Sequence, residues 1–101
     1  MNQQEMMRQL QKMQAEMAKA QQELAEAEVT GQAGNGLVTV VCTGDGAWRS
    51  VKINPQAIDP DDPELLEDLV LAALNDAKTT AERLQQERLG PLTAGLSLPG
   101  M

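Results

Sequence analysis

The sequence predicts an α+β fold in the order αβββα, and three observations lead there. A glycine-punctuated stretch from Val29 to Asn54 carries two tight-turn signals, Gly34-Asn35-Gly36 and Gly44-Asp45-Gly46. Gly and Asn tolerate the positive φ that hairpin turns demand, and two such turns need three antiparallel strands. A long run free of Gly, Pro and β-branched residues precedes this stretch, and a second apolar-periodic run, opened by Asp62-Pro63, follows it. The chain of 101 residues makes one domain, 1–101, small enough that self-association would help bury its apolar surface.

The first helix is expected within residues 1–28, where helix-favouring Ala, Gln, Glu, Met and Lys dominate. Met6, Leu10, Met13, Met17, Ala20, Leu24 and Ala27 recur at alternating spacings of four and three. That is a heptad seam, with Leu10, Met17 and Leu24 at a and the others at d. About 26 helical residues make a rod on the order of 39 Å, against about 17–20 Å for a short strand. Half of the helix therefore has nothing beneath it in its own domain. It must pair with another helix or project as an arm. Flexible Met suits packing at such a seam better than it suits a ligand groove. Arg8 at f, and Lys12 and Lys19 at c, face away from the seam. These cations admit two readings. Lys12–Glu16 and Lys19–Glu23 are i,i+4 pairs typical of a solvated face, or all three track phosphate along the outside of an arm.

The sheet is expected within 26–54, as strands Glu26–Ala33, Gly36–Thr43 and Ala47–Asn54. In the middle strand Val38, Val40 and Cys42 share one face, and Leu37, Thr39, Val41 and Thr43 share the other. The second face is half apolar, which points to partial cover by a partner subunit. In the third strand, alternation sets Arg49, Val51 and Ile53 opposite Trp48, Ser50 and Lys52. Trp48 is the only aromatic residue. Base-stacking platforms use several aromatics, so half-burial beside a turn or a subunit contact fits it better. Arg49 and Lys52 read as rim cations or secondary phosphate contacts.

The second helix is expected over 63–89, with Asp62 as N-cap and Pro63 in the first turn. Leu66, Leu69, Val70, Ala73, Ala77, Ala81 and Leu84 mark its apolar face, and Gly90-Pro91 reads as its stop. Residues 90–101, rich in Gly, Pro and Leu, read as a flexible tail. Lys78, Arg83 and Arg88 are spaced by five and spiral around the helix.

A net charge of −7 opposes contact with phosphate, but the charge is unevenly distributed. Residues 1–24 are neutral overall, residues 25–58 carry −1 and residues 77–101 carry +1. All the remaining excess lies in 59–76, with seven acids and no base. Glu64, Glu67 and Asp68 sit where the helix dipole favours acid, so the cluster needs no metal. Pro60 and Pro63 break any EF-hand spacing around Asp59, Asp61 and Asp62. With no histidine and one cysteine, a zinc site would rest on carboxylates alone. Cys42, in a run of Val and Thr, reads as core filling. No cofactor is implied, and no nucleophile sits beside a base. Gly31 to Gly36 lacks the following Lys and the helix N-terminus of a phosphate loop. The sequence therefore predicts no enzyme, no metal and no small-molecule substrate. No apolar run is long enough to span a membrane. The N-terminus lacks a basic-then-apolar signal segment, which argues for the cytoplasm.

Several blocks in order resemble the YbaB/EbfC family of nucleoid-associated DNA-binding proteins. They are V-T-G-x-x-G-x-G-L-V-x-V from Val29 to Val40, V-K-I-N-P from Val51 to Pro55, L-L-E-D-L-V-L-A-A-L-N-D-A from Leu65 to Ala77, and G-L-S-L-P-G-M from Gly95 to Met101. The resemblance covers almost the whole chain. It implies a two-fold homodimer with projecting helical arms that binds double-stranded DNA with little sequence preference in the nucleoid, affecting transcription. The expected DNA-binding residues are Arg8, Lys12, Lys19, Arg49, Lys52, Lys78 and Arg83. The expected dimer-interface residues are Leu10, Met13, Met17, Leu24, Val38, Val40 and Trp48. Where family members often carry consecutive basic residues, this chain has Arg49-Ser50 and Lys78-Thr79-Thr80. A second reading is a dimeric adaptor whose Met-rich seam captures a protein helix.

Overall fold

The computed structural model describes residues 2–94, with side chains as far as residue 92. The order is αβββα: α1 (Gln3–Glu26), β1 (Glu28–Ala33), β2 (Val38–Thr43), β3 (Trp48–Ile53), a short 3-10 turn at Pro55–Ala57, and α2 (Pro63–Ala94). Asn2 caps α1, its side chain accepting from the Glu5 backbone N–H at 2.8 Å. Asp62 caps α2 in the same way, accepting from the Leu65 N–H at 3.3 Å. The first hairpin turns through Gly34, Asn35 and Gly36, all at positive φ, and Gly46 supplies the positive φ of the second.

The sheet is antiparallel in the order β1-β2-β3. Val29, Gly31 and Ala33 pair with Cys42, Val40 and Val38, so these six residues share one face. Helix α2 lies across that face over β1 and β2. Its alanines at 73, 77 and 81 are buried there with Val29, Val38, Val40 and Cys42. Leu66, Leu69, Val70, Leu74 and Leu84 pack around this core. Gly31 permits the close approach: a Cβ on it would lie 2.4 Å from the Ala73 carbonyl oxygen and 2.6 Å from the Ala77 Cβ. The Asp76 side chain fastens the same crossing by accepting from the Gln32 N–H at 3.0 Å. Burial holds the Cys42 thiol above its ordinary pKa, and the nearby Asp45 charge adds to the effect.

Two expectations are corrected. The second helix does not stop at Leu89 but runs through Gly90 and Pro91 to Ala94. Proline disfavours helix before it mainly through contact with the preceding Cβ and N–H, and Gly90 has no Cβ. In the last turn Pro91 also forfeits only one backbone bond. The part of the expected tail from 95 to 101 lies outside the described residues. The second correction concerns β3. Val41 pairs with Ser50 and Cys42 with Trp48, so Arg49 is an extra residue in a bulge. The bulge returns Trp48 to the face of Val51 and Ile53, where simple alternation sets it opposite them.

Candidate nucleic-acid interface

Cover along helix α1 falls off from its C-terminal end toward its N-terminus. Ala20 is buried and Leu24 is 2% exposed, whereas Met13 and Met17 are half-buried and Met6 and Leu10 are 53% and 54% exposed. Gly44 receives the end of α1: its N–H donates to the Ala27 carbonyl at 3.0 Å, and a Cβ on it would meet the Leu24 carbonyl at 2.7 Å. Gln85 of α2 donates to the Gly44 carbonyl at 2.8 Å, and Arg88 bridges to Glu23 at 2.8 Å. The N-terminal half of α1 then runs clear of the sheet, as its length requires. The protein is consequently 70 Å long and 16 Å thin, with a radius of gyration of 19.6 Å. A compact chain of this size has about 13 Å.

Arg8, Lys12 and Lys19 are all exposed on this arm. At about 100° per residue their directions fall within about 40° of one another, and the centre of the Met/Leu seam lies about 140° away. They form one collinear stripe, about 16 Å from Arg8 to Lys19. Among the described residues Arg88 is the cation held in an ion pair, and the three arm cations are in none. The other expected DNA contacts do not join the stripe. Lys52 pairs across from Thr39 on the sheet face that α2 leaves open, and Arg49 occupies the bulge. Lys78 lies toward β3 beside Trp48 and Glu82, whereas Arg83 lies toward β1 beside Glu28, Thr30 and Glu87.

The acidic excess is at the opposite end of the molecule. Asp62, Glu64, Glu67 and Asp68 occupy the start of α2, and α1 meets α2 near Arg88. Those two places are about 38 Å apart along α2. That cluster thus stands well away from the arm, whose own Glu5, Glu16 and Glu23 balance its three cations.

The structure redistributes the expected dimer contacts. Val38, Val40 and Leu24 are buried within their own chain and have no surface to offer a second copy. Sequence periodicity identified them as apolar without revealing that α2 and the Gly44 turn cover them. Leu10, Met13, Met17 and Trp48 retain exposed surface. An open apolar area also lies along β3: Trp48, Val51 and Ile53 are exposed, and Ile53 continues into a groove lined by Leu66, Val70, Leu71 and Leu74 of α2. It exists because α2 stops short of β3, whose six residues are all exposed. A clue was present in Leu71, which falls outside the core stripe of its helix.

The sequence profile of the YbaB/EbfC DNA-binding family matches residues 1–96. A nucleoid-associated protein of Saccharopolyspora erythraea is 53% identical over 109 residues, covering 99% of this chain and 94% of its own. One of Staphylococcus aureus strain JH9 is 54% identical over 100 residues, covering 99% and 95%. The crystal structure of an uncharacterized protein from Helicobacter pylori superposes with a TM-score of 0.74 over 96% of this chain and 99% of that one, at 21% identity. The fold is therefore shared well beyond recognisable sequence, and the chain belongs to the YbaB/EbfC DNA-binding family.

Proposed function

We propose that two copies of the chain form a homodimer that grips duplex DNA by its backbone with little regard for sequence, contributing to nucleoid organisation and gene regulation. The observation that carries this reading is the collinear stripe of Arg8, Lys12 and Lys19 on an overhanging arm, remote from the acidic cluster of residues 59–76. Its chemistry is phosphate neutralisation with counterion release. No catalytic step is invoked. Nor does the arm present a groove-reading set like that of a helix-turn-helix, in which bidentate side chains address base edges. The location that follows is the nucleoid, within the cytoplasm.

The exposed face of β3, with Trp48, Val51 and Ile53, and the adjoining groove of Leu71 and Leu74 form the surface we assign to the two-fold contact. Exposed apolar patches of this kind mark association sites. Val51→Glu should leave the fold intact, because Val51 is exposed in the protomer, and should shift sedimentation at micromolar concentration from dimer to monomer.

DNA binding is tested by affinity across a salt series. Six cations from two arms give a slope of log affinity against log salt of about −5, a loss on the order of a thousandfold between about 50 and 200 mM. Changing Arg8, Lys12 and Lys19 together to Gln keeps helix propensity and should weaken binding and flatten the slope. An unchanged slope in a folded triple variant would remove the arm from the interface. The exposed Met6 and Leu10 favour a second reading, an adaptor that captures a protein helix on the seam; such a protein gives no salt-sensitive DNA shift.

A further inference from the structure

We infer that the free apolar seam of the arm pairs with the same seam on a neighbouring dimer, so that the protein bridges two duplex segments. This rests on the reading that the basic stripe holds phosphate. The arm has two long faces. Phosphate on the stripe occupies one of them, and Met6, Met7 and Leu10, all more than half exposed, point away from it. The heptad spacing specifies a helix as the occupant, because a and d residues four and three apart fit the holes of a facing helix with the same repeat.

Three features select a second copy of this arm as that helix. Its own seam carries the matching repeat. The flanking positions of the free part are Met7 and Gln14 at e and Gln9 and Glu16 at g, so an antiparallel pairing, in which e meets e and g meets g, sets Met7 against Gln14 and Gln9 against Glu16 and opposes no like charges. Residues 1–24 are neutral overall, and the acids that would make two molecules repel lie at the far end of the 70 Å protein. Contact through the arms is thus the association that keeps the acids farthest apart.

The geometry of such a pair is bridging. Two helices packed seam to seam lie about 8–10 Å apart. Each basic stripe then faces outward, away from the other, toward its own duplex. The free seam is about two heptads long and weak in isolation, and DNA supplies the missing strength by concentrating many arms along one contour.

The test uses the full chain on an immobilised duplex, washed and then offered a second, fluorescent duplex. Wild type should retain the second duplex. The triple variant Met6→Gln, Met7→Gln, Leu10→Gln should bind the immobilised duplex within about twofold of wild type, since its cations are untouched, yet retain roughly tenfold less of the second. Met6→Leu with Met7→Leu, which preserves the apolar seam, should retain as much as wild type. Equal retention by wild type and the Gln variant would overturn the proposal, as would loss of retention in the Leu variant. Wild type that binds the first duplex but never retains a second would overturn bridging and leave backbone binding standing. Failure to bind the first duplex would remove both.

Discussion

Along α2, alanines at four-residue intervals press against the sheet, whereas along α1 burial fades from Leu24 toward Met6 until the helix stands free. Both helices are long and both are apolar on one side. The difference lies in what faces them. Ala73, Ala77 and Ala81 meet a strand whose Gly31 has no side chain, so two backbones come into contact and the match admits no slack. Met6, Met7 and Leu10 are flexible residues arranged for a surface that the protomer does not supply. Small residues mark where the chain closes on itself. Large flexible ones mark where it reaches outward.

The comparison can be broken by substitution, starting where the packing is tightest. Gly31→Ala should destabilise by about 3 kcal/mol, because the new methyl overlaps backbone atoms of α2 that cannot move independently. Chemical denaturation at fixed protein concentration measures it, and an unchanged midpoint would mean that α2 does not lie where described. Leu24→Ala should cost about 2–3 kcal/mol through the cavity it leaves. Glu23→Gln, which breaks a pair whose side chains are 51% and 41% exposed, should cost under about 1 kcal/mol. Leu10→Ala occupies the same heptad position as Leu24, yet should stay within about 0.5 kcal/mol of wild type. If Leu10 and Leu24 proved equally costly, the arm would be packed in the free protein and the contrast between the helices would fail.

Much of the fold was legible because its signals are local. The Asp62 cap, the glycine turns and the four-three spacing of α1 each act within a few residues, and each lies where it was expected. The overhang was legible from length alone. What escaped depends on contacts distant in sequence. Periodicity tells which residues share a face but not which face will be covered, so Val38 and Val40 looked available to a partner when they are sealed under α2. A bulge at Arg49 reverses alternation without any glycine to announce it, which moved Trp48 to the unexpected face. Pro91 reads as a stop unless the missing Cβ of Gly90 is weighed with it. The cations of the candidate site were all visible in the sequence. The stripe of Arg8, Lys12 and Lys19 followed from heptad position, whereas the placement of Arg49, Lys52, Lys78 and Arg83 on separate surfaces became visible only once the body was folded.

Trp48 carries a practical consequence. The chain has no tyrosine and no phenylalanine, so nearly all its near-ultraviolet absorption and emission come from one indole. That indole is 52% exposed at the rim of the open β3 surface, while the basic stripe lies on α1. Its emission is therefore a built-in optical gauge of what happens at one surface and not at the other. Covering the groove would move the ring into an apolar setting and shift its colour toward the blue, with no dye attached and no residue changed. If a second copy is what covers it, dilution would reverse the shift.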